Sequence, residues 1–335
     1  MTLPLTREPV TDAFRPHPWL THPHLQTLAG AGYRRVPSFE TRREWLEAPD
    51  GERLALDWID SGEGWEGRRP ELSPVTVLVL HGLTGTSSSP IVRSMMAAAR
   101  AVPARVVGMN FRGSLEPPAR PRLYHAGSTA DLDLVARHIL GRFPGPLAVV
   151  GFSLGGNILL KWMGEQGVHL PDRVFGFAAC VPYDLGSCAR RLEEDAVSRL
   201  YRAYMVRRLK ARVRVLLQRF PQALDSQVVD EVRTLTDFDD RVTAPLNGFR
   251  DAEDYWEQCS SMHYLGAICR PVRLINAADD PFLRPTDLPL NQAIANPCLT
   301  LEITEHGGHL GYIGPGWNPW IEARITRCIR AATGM

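Results

Sequence analysis

A chain of 335 residues, 44% hydrophobic and 22% charged, carries enough apolar side chain for a large core and is not the composition of a disordered protein. Its formal net charge of +1 gives no basic footprint for nucleic acid. Six cysteines (Cys180, Cys188, Cys259, Cys269, Cys298, Cys328) show neither C-x-x-C pairs nor finger spacing, and they read mostly as small buried hydrophobes. The opening Met1 to Val10 lacks an apolar stretch of signal-peptide length, and no run is long enough to span a bilayer, which predicts a cytoplasmic, reduced protein.

In chain order, residues 1–42 are rich in proline and histidine and predict an arm lying over a domain. Two alternating segments between Arg43 and Asp60 flank the turn signal Asp50-Gly51, so an antiparallel pair opens the sheet. Short apolar runs at 75–80, 105–109, 147–150 and 174–179, separated by helical stretches, are the pattern of buried parallel strands. Residues 183–265 interrupt it without a convincing strand and predict a helical cap inserted into a core made of 43–182 and 266–335. Tyr201, Tyr204, Met205, Leu209, Val213, Leu216, Leu217 and Phe220 recur there at helical spacing. The other side of that helix carries Arg199, Arg202, Arg207, Arg208, Lys210, Arg212, Arg214 and Arg219. Such a face fits peripheral contact with an anionic membrane, or else a solvated charged surface. Strand patterns resume at 272–276 and 299–304, and residues 317–332 predict a closing helix. The expected fold is α/β: a mostly parallel central sheet covered by helices on both faces, with an inserted helical cap.

The run 147–157 places Ser153 between a strand and a helix, with Gly151 and Gly155 on either side. A glycine-flanked serine on such a bend is a nucleophile elbow, in which the close approach of strand and helix leaves no room for a Cβ beside the serine. The helix is expected to stop at Gly164.

A serine hydroxyl is a poor nucleophile at neutral pH and needs a base, and the base needs an acid to orient it. Asp279-Asp280-Pro follows one predicted strand end, and His306-Gly-Gly-His309 follows the next. Asp280, beside the proline, fits the acid turn, leaving Asp279 to stabilise the loop. His309, after two glycines, fits the base, with His306 the weaker candidate. His81-Gly82-Leu83-Thr84-Gly85 follows the strand ending at Leu80, where an oxyanion donor is needed. The backbone N–H groups of Leu83 and Leu154 are assigned to that hole. No phosphate-binding glycine loop, H-E-x-x-H or dinucleotide fingerprint occurs, and His22-Pro-His24 lacks a full ligand set, so neither cofactor nor metal is expected.

Together these segments resemble the YheT-type α/β-hydrolases, a group that includes eukaryotic abhydrolase-domain lipases and yeast ester synthases of medium-chain acyl groups. The likeness runs through His24-Leu-Gln-Thr27, the 81–85 segment, Asn110-Phe-Arg-Gly113, Tyr124-His-Ala-Gly127 and Gly151 to Asn157. It continues through Val181 to Leu185, Phe238 to Ala244, Asn276 to Phe282 and Glu305 to His309. The resemblance implies a Ser153, Asp280, His309 triad, hydrolysis of carboxylic esters, and an acyl pocket between the cap and the strand ends. One departure is the segment 114–118, shorter and stiffer than the glycine-bearing turn usual there, so substrate preference does not carry over. The expected function is a serine esterase or lipase-like hydrolase of small-molecule or lipid acyl esters working through an acyl-enzyme. The alternatives are acyl transfer to an alcohol, or ligand binding without turnover.

Overall fold

The computed structural model describes residues 13–34, 36, 38–59 and 75–334. Met1 to Val10 and Asp60, which entered the reading of the sequence, lie outside the described residues. The eight strands are β1 (Thr41–Glu47), β2 (Arg53–Ile59), β3 (Val75–Leu80), β4 (Ala104–Asn110), β5 (Leu147–Phe152), β6 (Val174–Ala179), β7 (Val272–Ala277) and β8 (Leu299–Thr304). They form one sheet in the order β1-β2-β4-β3-β5-β6-β7-β8. β1 and β2 pair antiparallel across the Asp50-Gly51 turn, β2 meets β4 antiparallel, and every later pairing is parallel.

Because side chains alternate along a strand, each apolar run feeds two cores. Leu78 and Leu80 of β3 point to one face, where they join Leu132, Val135 and Ile139 of the helix spanning Thr129–Arg142. Val75, Val77 and Val79 point to the other, where they meet Val92, Met95 and Met96. The helices are α1 (Pro23–Gly32), α2 (Pro90–Ala99), α3 (Thr129–Arg142), α4 (Leu154–Gln166), α5 (Leu185–Arg191), α6 (Ala196–Arg219), α7 (Ser226–Glu231), α8 (Leu235–Phe238), α9 (Ala244–Asn247), α10 (Ala252–Cys259), α11 (Leu290–Ala295) and α12 (Trp320–Thr333). In α12, Ile321, Ile325 and Ile329 recur every four residues and are fully buried on the α2 face. Each contributes about 2 kcal/mol of apolar burial, which fixes the helix against the sheet.

Between β6 and β7 the chain builds α5 to α10 with no strand among the described residues. Helix α4 runs to Gln166, past the stop expected at Gly164. A Cβ on Gly164 would lie 2.4 Å from the Tyr264 carbonyl oxygen, so this glycine serves a close approach, and the helix ends at Gly167 with φ +49°. Among the described residues no helix is long and apolar enough to cross a membrane.

Candidate active site

Parallel pairing sets the carboxyl ends of β3, β5, β7 and β8 along one edge, the edge where open α/β sheets present functional groups. Ser153 follows β5 directly with φ +52° and ψ −121°, a strained conformation for a residue with a Cβ. The turn is held by the Ser153 N–H donating to the Ala179 carbonyl at 2.9 Å. The positions two residues to either side must be glycine. A Cβ on Gly151 would sit 2.5 Å from the Gly155 carbonyl oxygen, and one on Gly155 would sit 2.5 Å from that of His81.

Above Ser153 lies His309, whose Nε2 is 3.0 Å from Ser153 Oγ. On its other side, Nδ1 lies 2.9 Å from Oδ2 of Asp280, a carboxylate with no solvent exposure. Asp280 also accepts the Phe282 N–H through Oδ1 at 2.9 Å. The Phe282 ring stacks on the imidazole, centroids 4.0 Å apart and planes 10° from parallel, which fixes the ring plane. Asp279 takes a different partner set. Its Oδ1 accepts the Gly308 N–H at 2.9 Å and its Oδ2 faces Nδ1 of His306 at 3.3 Å.

Leu83 sits in the turn after β3. Its neighbour Gly82 packs so close that a Cβ there would be 3.3 Å from Ser153 Cβ. Leu154 opens α4, where the first N–H groups of a helix have no partner within it. Leu154 is thus the residue next to Ser153, and Leu83 follows a glycine packed against it. His81 is fully buried. Its Nδ1 lies 2.8 Å from the Gly82 carbonyl, and its Nε2 accepts the Phe111 N–H at 3.3 Å. Burial pulls its pKa down to about 3, so it is a neutral ring that donates from Nδ1 and shapes the loop.

Several contributors had no signal in the sequence beyond membership of a motif. Thr27 of α1 accepts the His309 N–H at 2.9 Å through its hydroxyl. Gln26 spans Ile313 with two bonds, to its carbonyl at 3.0 Å and from its N–H at 2.9 Å. Arg34, just past α1, donates to the carbonyls of Leu310 and Gly311 and is ion-paired with buried Glu322. Asn157 ties α4 to the segments that follow α10 and precede α3, donating to the Ala126 and Cys259 carbonyls and accepting from the Ser261 N–H.

Among the described residues, one group of three metal-type side chains occurs: Cys180, Asp280 and His309, with ligand atoms within 4.8 Å of one another. Both nitrogens of His309 are engaged by Asp280 and Ser153. Burial pushes the Cys180 thiol well above its usual range, so it is neutral and a poor ligand.

Comparison with known proteins agrees with this architecture. Residues 75–315 match the family described as alpha/beta hydrolase fold. YheT of Escherichia coli is 35% identical over 309 residues, covering 90% of this chain and 88% of that protein. Phospholipase ABHD3 of Mus musculus is 30% identical over 314 residues, covering 92% of this chain and 75% of the other. An esterase of Pyrococcus furiosus superposes with a TM-score of 0.56 at 17% identity, over 87% of this chain and 91% of that one, a likeness of fold. The chain belongs to the α/β-hydrolase fold family, as an esterase- or lipase-like member of its YheT-type branch.

Proposed function

We propose that the protein is a serine carboxylic-ester hydrolase in which Ser153, His309 and Asp280 act as nucleophile, base and orienting acid. The observation that carries this reading is the unbroken hydrogen-bonded line from buried Asp280 through His309 to a serine on a strained elbow. Ser153 Oγ attacks the acyl carbonyl carbon while His309 Nε2 takes its proton, and Asp280 stabilises the resulting imidazolium. The carbonyl oxygen becomes an oxyanion held by the N–H groups of Leu83 and Leu154, each such donor being worth about 3 kcal/mol in the transition state. The tetrahedral intermediate collapses with cleavage of the ester C–O bond, and His309 returns the proton to the leaving alcohol. Water, deprotonated by His309, then cleaves the acyl-enzyme to the free acid and restores Ser153.

Residues 183–265 act as a cap, with the acyl chain lying between them and the strand ends. Tyr201 of α6 supports this, since its ring lies 5.2 Å from that of Phe282, the residue stacked on His309. A relative named as a phospholipase favours a lipid ester over a small polar one. The test is turnover of p-nitrophenyl esters from acetyl to palmitoyl by the protein and its Ser153→Ala variant. Loss of at least about a thousandfold in kcat/KM is expected. Equal turnover by the variant would overturn the reading.

A further inference from the structure

Several of the cations on the basic side of α6 are held by the protein itself. Arg202 pairs with Glu193 and Arg214 with Asp230, while Lys210 donates to the carbonyls of Asp230 and Val232. Arg208 and Arg212, one turn apart, reach the 82–85 turn, and neither has a carboxylate partner among the described residues. Arg212 donates through Nη2 to the Gly85 carbonyl at 2.9 Å and through Nη1 to the Tyr124 hydroxyl at 2.8 Å. Arg208 donates to the Thr84 carbonyl at 3.2 Å. Thr84 has φ +58°, a backbone conformation that a β-branched residue resists and that needs support from outside the turn.

The decisive atom is the Gly82 carbonyl oxygen. It receives His81 Nδ1 at 2.8 Å, the Gly85 N–H at 3.1 Å and the Tyr124 hydroxyl at 3.4 Å. In a planar trans peptide the carbonyl of Gly82 and the N–H of Leu83 point in opposite directions. Pinning the carbonyl therefore aims the N–H. Arg212 holds two of the three groups that do the pinning, since it fixes both Tyr124 and Gly85. Charge on the guanidinium also polarises the Tyr124 hydroxyl toward donation to Gly82.

We propose that Arg212, assisted by Arg208, is a positioning residue for the oxyanion site: it acts from α6 through Tyr124 and Gly85 to keep the Leu83 N–H directed at the substrate oxygen. The inference rests on the reading of Leu83 as an oxyanion donor. It makes α6 and the oxyanion turn one mechanical unit, so displacing the helix loosens the donor.

Arg212→Met and Tyr124→Phe test it. Removing a whole oxyanion donor costs about a hundredfold or more in kcat, and a donor left in place but misaimed is expected to cost about tenfold, with KM changed less than about twofold. A trifluoromethyl ketone carrying the same acyl chain forms the tetrahedral oxyanion on Ser153. Its affinity falls by the same factor as kcat, whereas a purely structural defect would not follow that split. Arg212→Lys, which reaches one of the two partners, falls between. Arg214→Met, on the same helix and paired with Asp230, behaves as the parent protein. Amide exchange of residues 81–86 provides a readout without turnover and speeds up in Arg212→Met. Loss of parent turnover in Ser153→Ala tests the underlying reading separately. Unchanged kcat in both variants, a change confined to KM, or unchanged exchange of 81–86 would overturn the proposal.

Discussion

Asp279 and Asp280 are adjacent in sequence, yet they face different histidines, His306 and His309, across the ends of β7 and β8. The two pairs differ in burial, since Asp280 has no exposed side-chain surface while Asp279 is 18% exposed. That difference predicts different costs. Asp280→Asn keeps the shape, but its single oxygen cannot serve both the Phe282 N–H and His309 Nδ1 as before, and its amide hydrogens favour the wrong imidazole tautomer. A fall of about ten-thousandfold in kcat is expected. Asp279→Asn retains an oxygen for the Gly308 N–H, and a loss below about tenfold is expected. Parallel kcat/KM measurements check this, and equal losses would mean that the loop, not the tautomer, is what Asp280 serves. The serine, both candidate acids and both candidate bases were visible in the sequence because each sits in a short motif at a strand end. Phe282, Thr27 and Tyr124 were not visible as site residues. Thr27, for example, meets a residue 282 positions away, and nothing local marks that contact.

At the scale of the element, α1 explains a motif that has no catalytic chemistry of its own. Pro23 at its start and a His22 side chain capping the His24 N–H begin the helix. Close packing then sets its place. Cβ atoms on Gly30, Gly308 and Gly311 would fall 2.4 to 2.6 Å from atoms across the α1–His309 loop interface, so helix and loop touch backbone to backbone. The proline-rich composition pointed to an arm over the domain but not to a helix braced on the base loop. Thr27→Val preserves the volume and removes the acceptor for the His309 N–H. An unpaired, half-buried donor costs about 1–2 kcal/mol, so a fall in kcat of about five- to thirtyfold with little change in KM is expected, and Thr27→Ser should recover it. A valine variant as active as the serine variant would show that close packing alone holds the loop. The same lesson holds for α6. Its period was legible, but the direction of its arginines was not, because periodicity assigns a face without saying what lies opposite it.

For the whole molecule, apolar runs separated by helical stretches were enough to read a mostly parallel sheet, since strands buried on both faces cannot hide their composition. Strand order was not legible: β4 lies between β2 and β3, a placement set by pairing that leaves no mark on the pattern of any one strand. Nor was the buried charge within the helical segment. Asp239 opens a π-helical turn over Asp239–Thr243. Its carboxylate accepts from Trp256 Nε1 at 2.9 Å and from the Thr243 hydroxyl at 2.8 Å, with no cation beside it among the described residues. Burial raises its pKa from 3.8 to about 6. Between about pH 4 and pH 6 the folded chain therefore holds a proton that the unfolded chain has released. The contribution of Asp239 to stability falls as pH rises through that window and is constant above it. A shift of this size corresponds to roughly 3 kcal/mol between the two limits. Asp239→Asn mimics the neutral acid and removes this dependence. Urea unfolding at pH 4, 5, 6 and 7 should find the parent losing stability relative to the variant by roughly that amount, with the loss complete by about pH 7. A constant difference across the series would mean that Trp256 and Thr243 satisfy the ionised carboxylate fully, and that the helical segment holds together independently of the charge at its centre.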